Sequence, residues 1–196
     1  MASRGNSVRR PSAHFGDAFP ALLSAAQSGA AWAWQRIYEW LAPVIAGYLR
    51  VQGVRDVDDV TSEVFLGMVR GIDAFTGDEA GFRSWVFVIA HRRVQDERRR
   101  AGRRPPPELP GDDLPASVGG DAEDDALRGL ATARVHALCE RLAPDQRDVV
   151  LLRIVGDLTV DDVAAVLGKT PGAVKQLQRR GFGALRRMLE QEGVPL

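Results

Sequence analysis

Cysteine occurs once in the 196 residues, at Cys139, so no internal disulfide can form and no Cys-x-x-Cys or Cys/His zinc framework exists. That usage suits a reducing compartment such as the cytoplasm. Cys139 falls among apolar helical positions and reads as a buried small hydrophobe. Histidine is scarce too: His14, His91 and His136 are scattered, with no Glu-x-x-His pair among them, and no glycine-rich phosphate cradle is present. The expectation is therefore no catalytic residue, no metal and no cofactor. No apolar run approaches the roughly 18 residues needed to span a bilayer, so no membrane contact is expected. The opening MASRGNSVRRPSAH carries charge without a following apolar stretch; residues 1–14 read as a flexible tail rather than a signal peptide. Sustained strand alternation is also missing, which argues against an α/β sensor domain.

Net charge is zero, from 26 basic and 26 acidic residues, but the charges are segregated. Residues 83–104 hold eight arginines against Asp96 and Glu97, a net +6. Residues 108–125 hold seven acids and no base, and residues 169–187 hold six bases and no acid. Two basic blocks around an acidic spacer predict two polyanion-binding surfaces on one chain.

Apolar spacing of three and four predicts an all-α fold. Four helices are expected between residues 15 and 101: one near Asp17–Gln27, then Ala30–Arg50, Asp56–Ile72 and Gly81–Arg100. Trp32, Trp34 and Trp40 read as core or helix-contact residues. Residues 102–125, GRRPPPELPGDDLPASVGGDAEDD, have little to bury and read as a flexible acidic linker that keeps two small helical domains, 15–101 and 126–196, loosely joined. In the second domain, Ala126–Leu142 and Pro144–Val155 keep helical register, the latter with Val149, Val150, Leu152 and Ile154.

The strongest local pattern is LTVDDVAAVLGKTPGAVKQLQRRGFGALRR, residues 158–187. Thr159 and Asp162 have capping-box spacing, and Val163, Val166 and Leu167 form an apolar stripe. Gly168 suits a left-handed helix end. Thr170 then caps a second helix with Pro171 at its first position. Val174 and Leu177 are expected to face inward, leaving Gly172, Lys175, Gln176, Arg179 and Arg180 outward. This is the layout of a helix-turn-helix with phosphate and base-edge donors on its second helix.

Both domains resemble the extracytoplasmic-function sigma factors of bacterial RNA polymerase. DVDDVTSEVFLGMVRGIDAF, residues 56–75, is similar to the family's helix that docks on the polymerase clamp. GFRSWVFVIAHRRVQDERRR, residues 81–100, is similar to the helix that melts and reads the −10 element. Residues 142–187 are similar to the fourth region, which reads the −35 element. The resemblance implies a sigma region 2 bundle followed by a region 4 helix-turn-helix, and a non-catalytic factor whose partners are core RNA polymerase, duplex −35 DNA and single-stranded −10 DNA.

Carried onto this sequence, the resemblance implies polymerase docking by Asp56, Asp59, Glu63 and Arg70. It implies −10 contacts by Arg83, Trp85, His91, Arg92, Arg93 and Asp96, and −35 contacts by Thr170, Pro171, Gly172, Lys175, Gln176, Arg179 and Arg180. It also implies an anti-sigma partner, and a linker threading toward the RNA exit path; by composition alone the linker is equally a solubilising tether. The chain departs from the family pattern at Val88 and His91, where bases are usual, at Arg92, where asparagine is usual, and at Thr76-Gly77, where Asp-Pro is usual. Those departures bear on −10 sequence preference.

Overall fold

The computed structural model describes residues 14–101 and 134–193. The tail before His14, the acidic linker and the start of the Ala126–Leu142 helix lie outside the described residues. Among those described there is no strand. A short 3-10 turn, Gly16–Ala18, leads into α1 (Phe19–Gln27), followed by α2 (Ala31–Val51), α3 (Val57–Gly71) and, after a second 3-10 turn, α4 (Glu79–Ala101). The second half comprises α5 (helical residues 134–140), α6 (Pro144–Ile154), α7 (Val160–Leu167) and α8 (Pro171–Gln191).

The boundaries follow from local chemistry. The Asp56 carboxylate caps α3 by accepting from the Asp59 amide at 3.1 Å. Asp78 caps α4 through the Gly81 amide at 2.8 Å. Thr159 and Asp162 form a reciprocal capping box on α7. Gly168 ends that helix at φ 62°, where a side chain would be strained, and the Lys169 amide bonds back to the Ala164 carbonyl at 3.0 Å. Thr170 Oγ1 caps α8 through the Ala173 amide at 3.2 Å. Thr159→Ala removes one side of the box and is expected to lower stability by about 1 kcal/mol. A urea midpoint identical to wild type would overturn that expectation.

In the first half α3 packs between α2 and α4, and α1 closes over α2. Ile37, Leu41, Ile45, Val64, Met68, Phe82 and Val86 are buried at its centre. Trp40 stacks on Phe82, and Trp34 donates its indole N–H to the Ala26 carbonyl at 3.1 Å. Trp32 does not join them. It is 58% exposed, one position off the buried stripe of Ala33, Ile37 and Leu41. Ile154, which closes the apolar register of α6, is exposed as well. Cys139 is buried, as expected, and burial raises its thiol pKa while Arg147 opposes the shift.

The two halves pack against each other. α7 packs along α4, α6 meets α2, and one apolar cluster runs through both halves. Phe87 of α4, Leu152 of α6 and Leu158 before α7 are all buried in it.

Candidate nucleic-acid and polymerase interfaces

α8 lies across α6 because Gly181 has no side chain: a Cβ there would stand 2.7 Å from Val150 Cγ2. Val174 is buried and Leu177 packs against the core, so both face inward as the sequence requires. Gly172, Lys175, Gln176, Arg179 and Arg180 are exposed. Gln176, Arg179 and Arg180 line one open groove of about 650 Å³ together with Gln146, Gly183, Ala184 and Arg187. Sequence reading missed Gln146 and Arg187 there. The charge of Arg187 was visible, but which residue of α6 faces α8 is not a local property. Three guanidiniums and two carboxamides around one groove supply phosphate-binding charge and base-edge hydrogen bonding together.

A second constellation surrounds the turn between α3 and α4. Gln27 of α1 donates its amide hydrogens to the carbonyls of Ile72 and Phe75, both at 2.9 Å. Phe75 packs on Phe82 and Trp85. Trp85 fits because Gly71 is bare, a Cβ there standing 2.9 Å from its ring. The loop that leads into the basic helix is therefore held in one shape by a side chain about 45 residues upstream.

The six α4 residues expected on one DNA face divide among several. Arg92 is exposed, and Arg93 leans on Glu63 of α3 at 3.4 Å. Asp96 is ion-paired with Arg99, and Trp85 is half-buried under the loop. Arg83, 6% exposed, reaches the second half at Gly156, and His91, 8% exposed, is turned inward onto Tyr48 of α2. On α3, Asp59 and Arg70 are exposed, Asp56 is engaged in its own cap, and Glu63 is engaged with Arg93. The same face carries exposed Leu66 and Val69, and exposed Tyr38 of α2 sits 4.8 Å from Phe65. Reading only charge missed this apolar part. Its signal was present in Leu66 and Val69, which fall out of phase with the buried Val60, Val64 and Met68.

The chain matches the family model of Sigma-70 region 2 over residues 34–104 and that of Sigma-70, region 4 over residues 132–185. It is 35% identical over 188 residues to the ECF RNA polymerase sigma factor BldN of Streptomyces coelicolor, covering 94% of this chain and 71% of that protein. The chain belongs to the ECF sigma factors. It is 29% identical to the ECF sigma factor SigD of Mycobacterium tuberculosis, over 87% of this chain and 84% of that one. Among solved structures it resembles CnrH, determined in complex with the cytosolic domain of CnrY, with 28% identity and a TM-score of 0.65 over 89% of this chain and 99% of that one. As an ECF sigma factor it is a DNA-binding transcription-initiation factor that works with RNA polymerase. No helix among the described residues is long and apolar enough to cross a membrane.

Where the halves of this ECF sigma factor meet, buried polar groups converge. Asp148 of α6 accepts from Gln52 Nε2 at 2.8 Å and is paired with Arg98 at 3.3 Å. Arg98 also donates to Gln52 Oε1 at 2.6 Å. Gln52 Nε2 donates to the Tyr48 hydroxyl at 3.1 Å, and that hydroxyl lies 2.9 Å from His91 Nδ1. Gln95 completes the group, 3.2 Å from His91 Nε2. Burial drives the Tyr48 pKa well above its ordinary value, with Asp148 acting in the same direction. Burial also holds His91 below its ordinary value, outweighing the upward pull of Asp148; Arg98 adds to the lowering.

The sign of the resulting pH dependence follows from linkage. His91 in the unfolded chain titrates near 6.5, and in the folded chain lower. Below pH 6.5 the unfolded chain therefore holds more protons, so the stability contributed by neutral His91 is present above that pH and is lost as pH falls. The urea midpoint should drop between pH 7.5 and 5.5, and His91→Gln should flatten that drop. An equal drop in the variant would remove His91 as its cause.

Proposed function

We propose that this sigma factor reads a −35 element with α8, captures the −10 strand with the Phe75–Gly81 loop and α4, and docks on polymerase through α3. Residues 15–101 form the docking and −10 unit, residues 126–196 the −35 unit, and residues 102–125 the tether between them. The observation that carries this reading is the α7–turn–α8 geometry, with Gln176, Arg179 and Arg180 on one groove and Lys175 exposed beside it. Thr170, Pro171 and Gly172 form the N-terminal end of the reading helix, where backbone N–H groups favour a phosphate. Arg92 and Arg93 track the single strand, Trp85 supports the loop that holds an unstacked base, and Arg83, His91 and Asp96 complete the −10 side.

Docking involves Asp59, Glu63 and Arg70, with Asp56 fixing the start of α3, and adds the apolar surface of Leu66, Val69 and Tyr38. The chain acts in the cytoplasm by binding, without catalysis of its own. CnrH, its structural relative, is bound by the cytosolic domain of another protein, which supports an anti-sigma partner for this chain as well.

The test mixes the purified protein with bacterial core RNA polymerase and fragmented genomic DNA, and maps the 5′ ends of the transcripts. Defined starts sharing −35 and −10 motifs, absent without the protein, are the expected result. Salt-sensitive duplex binding without polymerase-dependent initiation would overturn the reading in favour of a stand-alone regulator.

A further inference from the structure

Glu79 opens α4 but does not cap it, since Asp78 does that. Its carboxylate is turned instead onto the start of the described chain. The Phe15 amide donates to its two oxygens at 3.0 and 2.9 Å, and the Gly16 amide donates to Oε2 at 2.8 Å. His14 Nδ1 lies 3.2 Å from Oε1. The Phe15 ring meets Trp40 edge-on with centroids 5.0 Å apart, which fixes the same segment from its apolar side. Gly16 turns the backbone there at φ 53°, a conformation open to glycine. Three consecutive residues are thus anchored on one carboxylate, whose side chain is only 13% exposed.

The anchor stands beside the Phe75–Gly81 loop, because Glu79 follows Thr76, Gly77 and Asp78 directly. Whatever precedes His14 is therefore delivered next to that loop. Residues 1–13 contain Arg4, Arg9 and Arg10 and no acid. Arg10 and Arg9 come four and five residues before His14, so even a fully extended chain keeps them within about 18 Å of it. The carboxylates lining the recess at the anchor are Asp78, Glu79, Asp157 and Asp162, and all are engaged. Glu79 holds the donors just named, and Asp78 holds the Gly81 amide. Asp157 stands against Arg83 and His14, and Asp162 closes its capping box with Thr159.

We propose that the Glu79 anchor presents Arg9 and Arg10 to phosphates of the opened −10 strand, beside the loop that holds its unstacked base. The proposal rests on the assignment of that loop and α4 to the −10 strand made above. Guanidiniums suit phosphate oxygens through charge-assisted, paired hydrogen bonds. Anchoring raises their effective concentration at the strand, which an unanchored arm of equal charge would lack.

The test uses holoenzyme reconstituted from the full chain and core RNA polymerase. Its ligand is a fluorescein-labelled promoter, taken from the mapped starts, with the −10 region pre-melted by mismatches. Affinity is measured at several salt concentrations. Arg9→Ala with Arg10→Ala should flatten the slope of log K against log salt by about 0.7 for each lost single-strand contact, ~1.4 for the pair. Arg50→Ala with Arg55→Ala changes the charge equally, at exposed positions around the far end of α2, and should leave the slope at its wild-type value. Glu79→Ala removes a negative charge near the strand, which by charge alone would tighten binding. Loss of the anchor should instead weaken it several-fold.

A wild-type slope in the Arg9/Arg10 variant would overturn the contact, and so would an equal flattening in the Arg50/Arg55 control. Unchanged or tighter binding by a folded Glu79→Ala variant would overturn the anchor. If wild-type holoenzyme binds the melted promoter no better than core polymerase alone, the −10 assignment fails and this inference with it. Tight wild-type binding with unaltered variants removes this inference alone.

Discussion

Phe87→Ala is expected to cost about 3–5 kcal/mol, the range for emptying an aromatic from a closed core. Phe87 is fully buried, and its ring meets Tyr48 edge-on with centroids 5.3 Å apart. Gly156 of the second half comes so close that a Cβ there would be 3.3 Å from the Phe87 ring. That same Cβ would be 2.6 Å from the Leu152 carbonyl oxygen, so no larger residue fits at 156. The cavity left by alanine is lined from both halves, by Tyr48 on one side and Gly156 on the other. Equilibrium urea unfolding should show a lower midpoint for the whole chain. A variant within 1 kcal/mol of wild type would mean that the halves repack freely.

The second large effect is expected on α8. Gln176 is neutral, so it contributes no counterion release. Gln176→Ala should cost ~1–3 kcal/mol at one −35 position and leave the salt dependence of binding unchanged. Joint alanine replacement of Lys175, Arg179 and Arg180 should weaken binding to every duplex. It should also flatten the slope of log K against log salt by about 0.9 for each lost phosphate contact. Titrations of the mapped promoter and of a scrambled duplex at several salt concentrations separate the two behaviours. A salt slope altered by Gln176→Ala, or unaltered by the triple replacement, would reverse these roles.

The helix-turn-helix was legible in the sequence to the residue, because everything that shapes it is local. Thr159 with Asp162, Gly168, Thr170 and Pro171 each act within one turn of their own position. The four helices of the first half were legible for the same reason, with boundaries off by one or two residues. Trp32 was misjudged because apolar character alone does not say on which side of a helix start a ring emerges. The direction of Arg83, His91 and Arg98 was not legible. Their partners Gly156, Tyr48 and Asp148 lie 73, 43 and 50 residues away, and a basic residue aimed at another helix looks in sequence like one aimed at solvent. Gln52 and Asp148 gave no warning either, since a buried polar pair has no periodicity.

The bare backbone at Gly181 makes α8 a lever with its fulcrum on Val150. Pro171 lies ten residues before that fulcrum, a lever arm of about 15 Å at 1.5 Å of rise per residue. A tilt of about 10° there would carry the reading end through roughly 2.6 Å, most of the ~3.4 Å step between base pairs. The direction of the exposed N-terminal end of α8 is thus set at a buried contact, by an atom that is missing.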